Sequence, residues 1–401
     1  MSEATYQMEV GVQGVVPPGE IRERIRRFRR RLAARGIPGA LVTARTDRYY
    51  LAGTVQDGFL WVPAEGDPEL WILRDPGRAR RESPLQVVHV ASGRDLWTRA
   101  QEILRRNRPP GLVADTLPAA WLSRLGLDRG DPWEDVGPDL LGVRRRKSPW
   151  EVERMAEAGR VAGEVFRYAA EVLRPGMTEA QLAGLLFAKA MALGHEGRLW
   201  SRGPFEAYSW HVVSGANLLV PGAVDTPVPG VGRSPAFPVG AGDRPIRKGE
   251  PVIVDFGVSV WGYQTDQTRT FCIGPAPDWL RDLHGSVARV LEAMERVLAP
   301  GVPVADLFRA GEEEARAAGL RGYLGVPPQK CRFVGHGVGL ETVEPPLVAP
   351  AAGRVQPGDA LALEPKAVAP GLGAAGLEDT WWIGPEGIRR LTDAPRELWV
   401  I

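Results

Sequence analysis

Residues 251–273, PVIVDFGVSVWGYQTDQTRTFCI, read as two long β-strands joined by a short turn. Each strand carries one acidic residue, Asp255 or Asp266. A turn centred on Val260-Trp261 sets the two directly opposite each other, with Cβ atoms roughly 5 Å apart. Like charges facing across a ladder are destabilising, so such a hairpin needs a cation. A bulge at Gly262 would shift this register. The competing reading is two surface aspartates on an exposed face, but the segment VIVDFG is too apolar for an exposed edge.

Composition limits how a cation could be held. The chain has five His and two Cys, Cys272 and Cys331, so it can build no zinc ribbon and no disulfide framework, and HExxH is absent. A metal site here must be mostly carboxylate. Fifty basic against 49 acidic residues leave a net charge of +1, which gives no support for a nucleic-acid or membrane-surface partner. No basic-then-apolar leader and no apolar run near ~18 residues is visible, so a cytoplasmic protein with no membrane span is expected.

A length of 401 residues suits two domains. An amphipathic helix is predicted over 20–36, stopped by Gly36-Ile37-Pro38. GALVTA, YYLAG, FLWVP, LWILR and GLVAD read as strands, with a helix around Leu96–Leu104, which makes the N-terminal domain α/β. The boundary falls after VRRRK: Ser148, Pro149 and Glu151 form a capping box for a helix running to about Leu173. A second helix starts near Thr178. Residues 203–249 are rich in Gly and Pro and read as a long loop, either a surface excursion or a lid or wall of a site. Leu280–Leu298 is a helix, and LALEPKAVAP and LEDTWWIG are strands, so the C-terminal half is α+β. The domains expected are 1–147 and 148–401.

Three more residues join the two aspartates. His336 lies in GHGVG, where the flanking glycines leave the imidazole uncovered, although a lone His is often structural. Glu364 and Glu378 each follow a short apolar run. A buried ionised carboxylate needs a partner, which a divalent metal supplies. Four carboxylates and one His suit a pair of ions such as Mn²⁺, Co²⁺ or Zn²⁺. Gly371-Leu372-Gly373-Ala374-Ala375-Gly376 matches GxGxxG, but a strand rather than a helix follows it, so a glycine-rich β-connection is expected.

The order VIVDFG, TDQTRTF, GHGVGLE, LEP, LEDT resembles the creatinase/aminopeptidase P/prolidase family of pita-bread-fold proteins. ALVTARTDRYYLAG and VRRRKSPWEVERM resemble its creatinase-type N-terminal domain and the junction that follows. The resemblance implies a dinuclear metal centre: Asp255 on one ion, Asp266 and Glu378 bridging, His336 and Glu364 on the other. Glu364 would be the general base for a bridging water. It also implies Xaa-Pro aminopeptidase or Xaa-Pro dipeptidase activity on a short peptide, and a homodimer.

The chain departs from the family pattern at four positions. Gly222 and Val343 stand where relatives carry histidines. Gly376 stands where they carry Arg, and Glu-Pro-Gly has become Glu364-Pro365-Lys366. Candidate replacements that could contact substrate are Lys366, His211, Asn217 and Asp225. Each also has a structural reading, as an amphipathic Lys beside a strand or as turn-forming polar residues. Two functional alternatives stay open: a metal-dependent non-peptidase enzyme, another hydrolase or a lyase, acting on a small molecule, and a non-catalytic interaction module.

Overall fold

The chain divides into two units, Met1–Arg144 and Arg145–Ile401. The computed structural model describes residues 14–127, 130–202, 211–222, 224–326 and 330–401. The first unit opens on the helix Pro18–Ala34, which buries Ile21, Ile25, Phe28 and Leu32 along one face. Six strands follow: β1 (Gly39–Val42), β2 (Gly58–Pro63), β3 (Glu69–Ile72), β4 (Gln86–His89), β5 (Gly111–Leu112) and β6 (Glu134–Asp135). They form one mixed sheet in the order β4-β3-β2-β1-β5-β6. The helix Gly93–Arg106 contributes Leu96, Ala100 and Leu104 to a core with Leu41, Trp61 and Trp71.

The strand expected at YYLAG is instead the end of a helix, Arg45–Ala52. Gly53 closes it in the left-handed conformation, φ 75°. Tyr50, Leu51 and Ala52 are buried, and Asp47 pairs with Arg144 at 2.8 Å. Tertiary burial overrides the strand preference of two tyrosines.

In the second unit, Ser148 and Glu151 form the expected capping box on the helix Pro149–Val172. Thr178 and Gln181 form another on Glu179–Ala192. β7 (His211–Ser214), β8 (Pro251–Val260) and β9 (Tyr263–Cys272) run antiparallel, and Trp399–Val400 joins β9 in parallel. Along β8 the side chains alternate. Val252, Val254, Phe256 and Val258 pack with Phe166 of the first helix, whose ring stacks on Phe256 at 4.7 Å. Ile253 joins a separate apolar group with Val213, Val368 and Ala374, and Asp255 shares its face.

The remaining strands are β10 (Gly322–Tyr323), β11 (Gly335–Gly337), β12 (Glu344–Leu347), β13 (Ala360–Leu363), β14 (Lys366–Ala369), β15 (Gly373–Gly376), β16 (Asp379–Gly384) and β17 (Gly387–Arg390). They make a sheet β12-β11-β13-β16-β17 and a sheet β10-β14-β15. The single strand expected across LALEPKAVAP is therefore two strands in different sheets. Pro365 has no N–H for a ladder, and the break at Glu364-Pro365 lets the chain change sheets. Helices Asp278–Val297 and Val304–Ala317 pack against these sheets. The Gly371–Gly376 motif is a β-connection, since it passes through β15 to the strand Asp379–Gly384. Among the described residues, no helix is long and apolar enough to cross a membrane.

Candidate metal centre

The hairpin places both aspartates on one face, but not directly opposite. Asp255 pairs with Thr268, and Asp266 pairs with Gly257. The expected register is off because the two-residue turn is Trp261-Gly262, not Val260-Trp261. Both turn residues have positive φ, 56° and 75°, as a type I′ hairpin turn requires, and Gly262 supplies one without strain. Trp261 is held there by an edge contact to Trp150, ring centroids 6.0 Å apart. Because the register moves by two residues in total, the aspartates stay on one face as diagonal neighbours.

Five segments converge on this face. β8 and β9 bring Asp255 and Asp266, and β11 brings His336. The break after β13 brings Glu364, and the residue before β16 brings Glu378. His336 Nδ1 lies 3.0 Å from the Gly337 carbonyl oxygen. A carbonyl can only accept, so Nδ1 donates here and Nε2 is the nitrogen turned to the carboxylates. Nε2 stands 3.7 Å from Glu364 Oε1 and 3.9 Å from Asp266 Oδ2. Ligand atoms of Asp266, His336 and Glu378 all lie within 4.8 Å of one another.

Lys366 enters the same cluster. It is fully buried, and its Nζ lies 2.6 Å from Glu364 Oε2, 3.1 Å from Asp255 Oδ2 and 3.3 Å from Glu378 Oε2. Burial would lower its pKa, but the charges of Asp255, Glu364 and Glu378 outweigh that and hold it well above the ordinary value. Thr268, paired with Asp255 on the ladder, donates its hydroxyl to Glu378 Oε2 at 2.8 Å. The other oxygen, Glu378 Oε1, is buried with no hydrogen-bond partner among the described residues. Burial first, and the Asp266 charge second, push the Glu378 carboxyl well above its usual range.

Burial and the neighbouring Asp255 raise the Asp266 pKa from 3.8 to about 7. A carboxyl raised by folding contributes stability below its unfolded pKa, and that contribution is lost as pH rises toward the folded value. Metal-free protein in a chelator is therefore expected to lose thermal stability between about pH 4 and about pH 7 from this group. The loss should be smaller in Asp266→Asn. An equal loss in the variant, measured by melting temperature against pH, would contradict this origin.

The other sequence candidates sit elsewhere. His211 pairs with Asp255 across β7–β8, and its Nε2 lies 2.7 Å from the Val228 carbonyl oxygen, tying the long loop to the sheet. Asn217 donates to Glu179 at 2.8 Å and accepts from the Val231 N–H at 2.9 Å. Glu179 also accepts from Ser214 and Gly242, so it gathers much of the loop over 211–242 onto a helix N-terminus. Residues 203–210 and 223 of that loop lie outside the described residues. Asp225 pairs with Arg332 at 2.8 Å and lines a cavity of about 270 Å³ with Gly222, Lys330 and Cys331. Burial, and next the charge of Glu364, hold the Cys331 thiol well above its ordinary pKa. Val343 is half-buried, and the next residue, Glu344, pairs with Lys147 at 2.9 Å.

Sequence reasoning missed Thr268 and the Arg269–Asp379 pair beneath the cluster. Arg269 donates to the carbonyls of Thr268 and Glu378 and to Asp379 Oδ1, each at 2.7 Å. Asp379 follows Glu378 directly in the sequence, and two adjacent acids in an apolar strand were the available signal.

Residues 153–385 match metallopeptidase family M24, and residues 24–144 match the creatinase/prolidase N-terminal domain. The chain belongs to metallopeptidase family M24. It is 27% identical over 382 residues to the probable dipeptidase PepE of Mycobacterium tuberculosis, covering 91% of this chain and 92% of that protein. It is 24% identical over 388 residues to the Xaa-Pro dipeptidase of Pyrococcus furiosus, covering 94% and 100%. Among solved structures, the Xaa-Pro dipeptidase from Bacillus anthracis superposes with a TM-score of 0.80 at 22% identity, covering 95% of this chain and 100% of that one. For an M24 chain the donor set fits a divalent ion: among the described residues Glu378 Oε1 is a buried oxygen with no hydrogen-bond partner, and His336 Nε2 faces Asp266 and Glu364.

Proposed function

We propose that this M24 chain hydrolyses Xaa-Pro peptides, or a closely related short amide, at the cluster of Asp255, Asp266, His336, Glu364 and Glu378. The observation that carries this reading is the convergence of four carboxylates and a histidine in one cluster, in which Asp266, His336, Glu364 and Glu378 are buried. The resemblance supplies the expectation of divalent ions such as Mn²⁺, Co²⁺ or Zn²⁺, of a cytoplasmic homodimer, and of a creatinase-type domain at 1–147 ahead of a catalytic domain at 148–401. A bound divalent ion would polarise the scissile carbonyl and supply a nucleophilic water at neutral pH.

This chain's own groups do the rest. Asp266, His336 and Glu378 would hold the ion, His336 through Nε2. Glu364 keeps one oxygen on Lys366 and leaves Oε1 facing His336 at 3.7 Å, so Oε1 is the atom placed to take the proton from attacking water and pass it to the leaving nitrogen. Lys366 fixes the Glu364 rotamer and offers no proton to solvent, because it is fully buried.

Protein loaded with Mn²⁺ or Co²⁺ is expected to release the N-terminal residue from Xaa-Pro dipeptides or short Xaa-Pro peptides. A chelator should stop the reaction, and so should Glu364→Gln. Gly222 and Val343, which lack the histidines of relatives, favour a second reading, a metal-dependent reaction on another small molecule. Metal-loaded protein that cleaves no Xaa-Pro peptide would replace the first reading with the second.

A further inference from the structure

We propose that Lys366 is a built-in cation that takes the place of one divalent ion, so that this chain holds a single metal, on the His336 side of the cluster. The inference rests on the reading of the cluster as a metal site and changes its stoichiometry.

An ammonium has three N–H donors and no acceptor. The Lys366 ammonium meets three carboxylate oxygens, one each from Asp255, Glu364 and Glu378, between 2.6 and 3.3 Å. All three donors have a charged acceptor, and the group is fully buried. Metal–carboxylate bonds are about 2.0–2.2 Å long. An ion bound to those same three oxygens would fall inside the contact distance of Nζ, so the two cannot coexist.

The stem of Lys366 is locked as firmly as its head. Lys366 pairs directly with Gly376 across β14–β15. A Cβ at position 376 would lie 2.8 Å from Lys366 Cγ and 3.3 Å from Thr268 Cγ2. The missing side chain at 376 is therefore the space through which the lysine reaches the cluster.

The donors that Lys366 does not use still point at one position. Glu378 gives Oε2 to Lys366 and Thr268 and keeps Oε1 unpartnered. Glu364 gives Oε2 to Lys366 and turns Oε1 to His336. Asp266 and His336 face the same space. Asp255 belongs to the lysine. Four carboxylates against one ammonium and one divalent ion leave about one negative charge, within reach of a single proton or a substrate amine.

The test is metal content after chelation and dialysis of the intact protein against Mn²⁺, measured by mass spectrometry with electron paramagnetic resonance of the bound ion. The wild type is expected to bind one ion per chain with the spectrum of an isolated Mn²⁺. Asp255→Asn should keep that ion, Asp266→Asn should lose it, and Lys366→Ala should bind two with a spin-coupled spectrum. Two ions in the wild type, loss of the ion in Asp255→Asn, or one ion in a folded Lys366→Ala would each overturn the inference while leaving the metal-site reading intact. No ion in the wild type or in Lys366→Ala would overturn the metal-site reading itself. Should Lys366→Ala not fold, the wild type and Asp255→Asn decide the matter.

Discussion

Asp266→Ala is expected to lower turnover by ~10³-fold or more, because several kcal/mol of charge stabilisation leave with the ion and each ~1.4 kcal/mol is tenfold in rate. The fold should survive. Asp266 is an acid whose ionised form is disfavoured where it stands: its pKa is raised to about 7 by burial and by Asp255. Removing it relieves repulsion in the metal-free protein. Its backbone N–H and carbonyl are held by the Thr380 hydroxyl at 3.0 and 2.9 Å, and these bonds remain. Lost activity and lost metal, with a melting temperature no lower than that of the metal-free wild type, is therefore the expected result. Retained activity would show that the reaction does not use this carboxylate.

The second large effect concerns stability. Asp379→Ala is expected to destabilise the second unit by about 3–5 kcal/mol, the range for removing one partner of a buried ion pair. Asp379 is fully buried. It accepts from Arg269 at 2.7 Å, Arg396 at 2.6 Å, Thr392 at 2.7 Å and Gln267 at 3.0 Å. Arg269 is fully buried as well, and without Asp379 its charge has no carboxylate in contact among the described residues. Burial alone would raise the Asp379 pKa, yet the Arg269 and Arg396 charges outweigh it and hold the carboxyl below its ordinary value. A depressed carboxyl stabilises the fold above its unfolded pKa, near 4, and that contribution is lost as pH falls. The wild type should lose more stability below pH 4 than Asp379→Ala does. Denaturant unfolding at pH 7 and pH 3 would test both points, and a loss under ~1 kcal/mol at pH 7 would contradict the role of the pair.

The two effects trace to neighbouring residues because one network serves both purposes. Arg269 holds the carbonyls of Thr268 and Glu378, so the ion pair sets the backbone on which two cluster residues stand.

Much of this was legible in the sequence because it rests on local pattern. The hairpin, the capping box at Ser148 and the helices at 149–172 and 179–192 follow from alternation, caps and breakers. Four of the five cluster residues stood out as an acid or a histidine beside an apolar or glycine-framed run, and Asp266, in the polar strand YQTDQTRTF, stood out by its place across the hairpin from Asp255. Register was less legible: placing the turn one residue early made a diagonal pair of aspartates look like a facing pair. Parity of the ladder kept both on one face, so the error cost the distance and left the site intact. Lys366 stood among several replacement candidates because spacing alone cannot show that Pro365 breaks the strand. That break ends β13 at Leu363 and starts β14 at Lys366 in a different sheet, with Glu364 between them at the cluster. The helix at Arg45–Ala52 was hidden for the opposite reason: its paired tyrosines favour a strand, and burial against the rest of the unit decides otherwise.

An anomalous difference map from crystals of the Mn²⁺-loaded protein tests the central claim most directly. The expected map has one peak, within bonding distance of Asp266, His336 Nε2 and Glu378 Oε1, with the Lys366 ammonium still on Asp255. A second peak against Asp255 with Lys366 turned away, or no peak in the cluster at all, would contradict it.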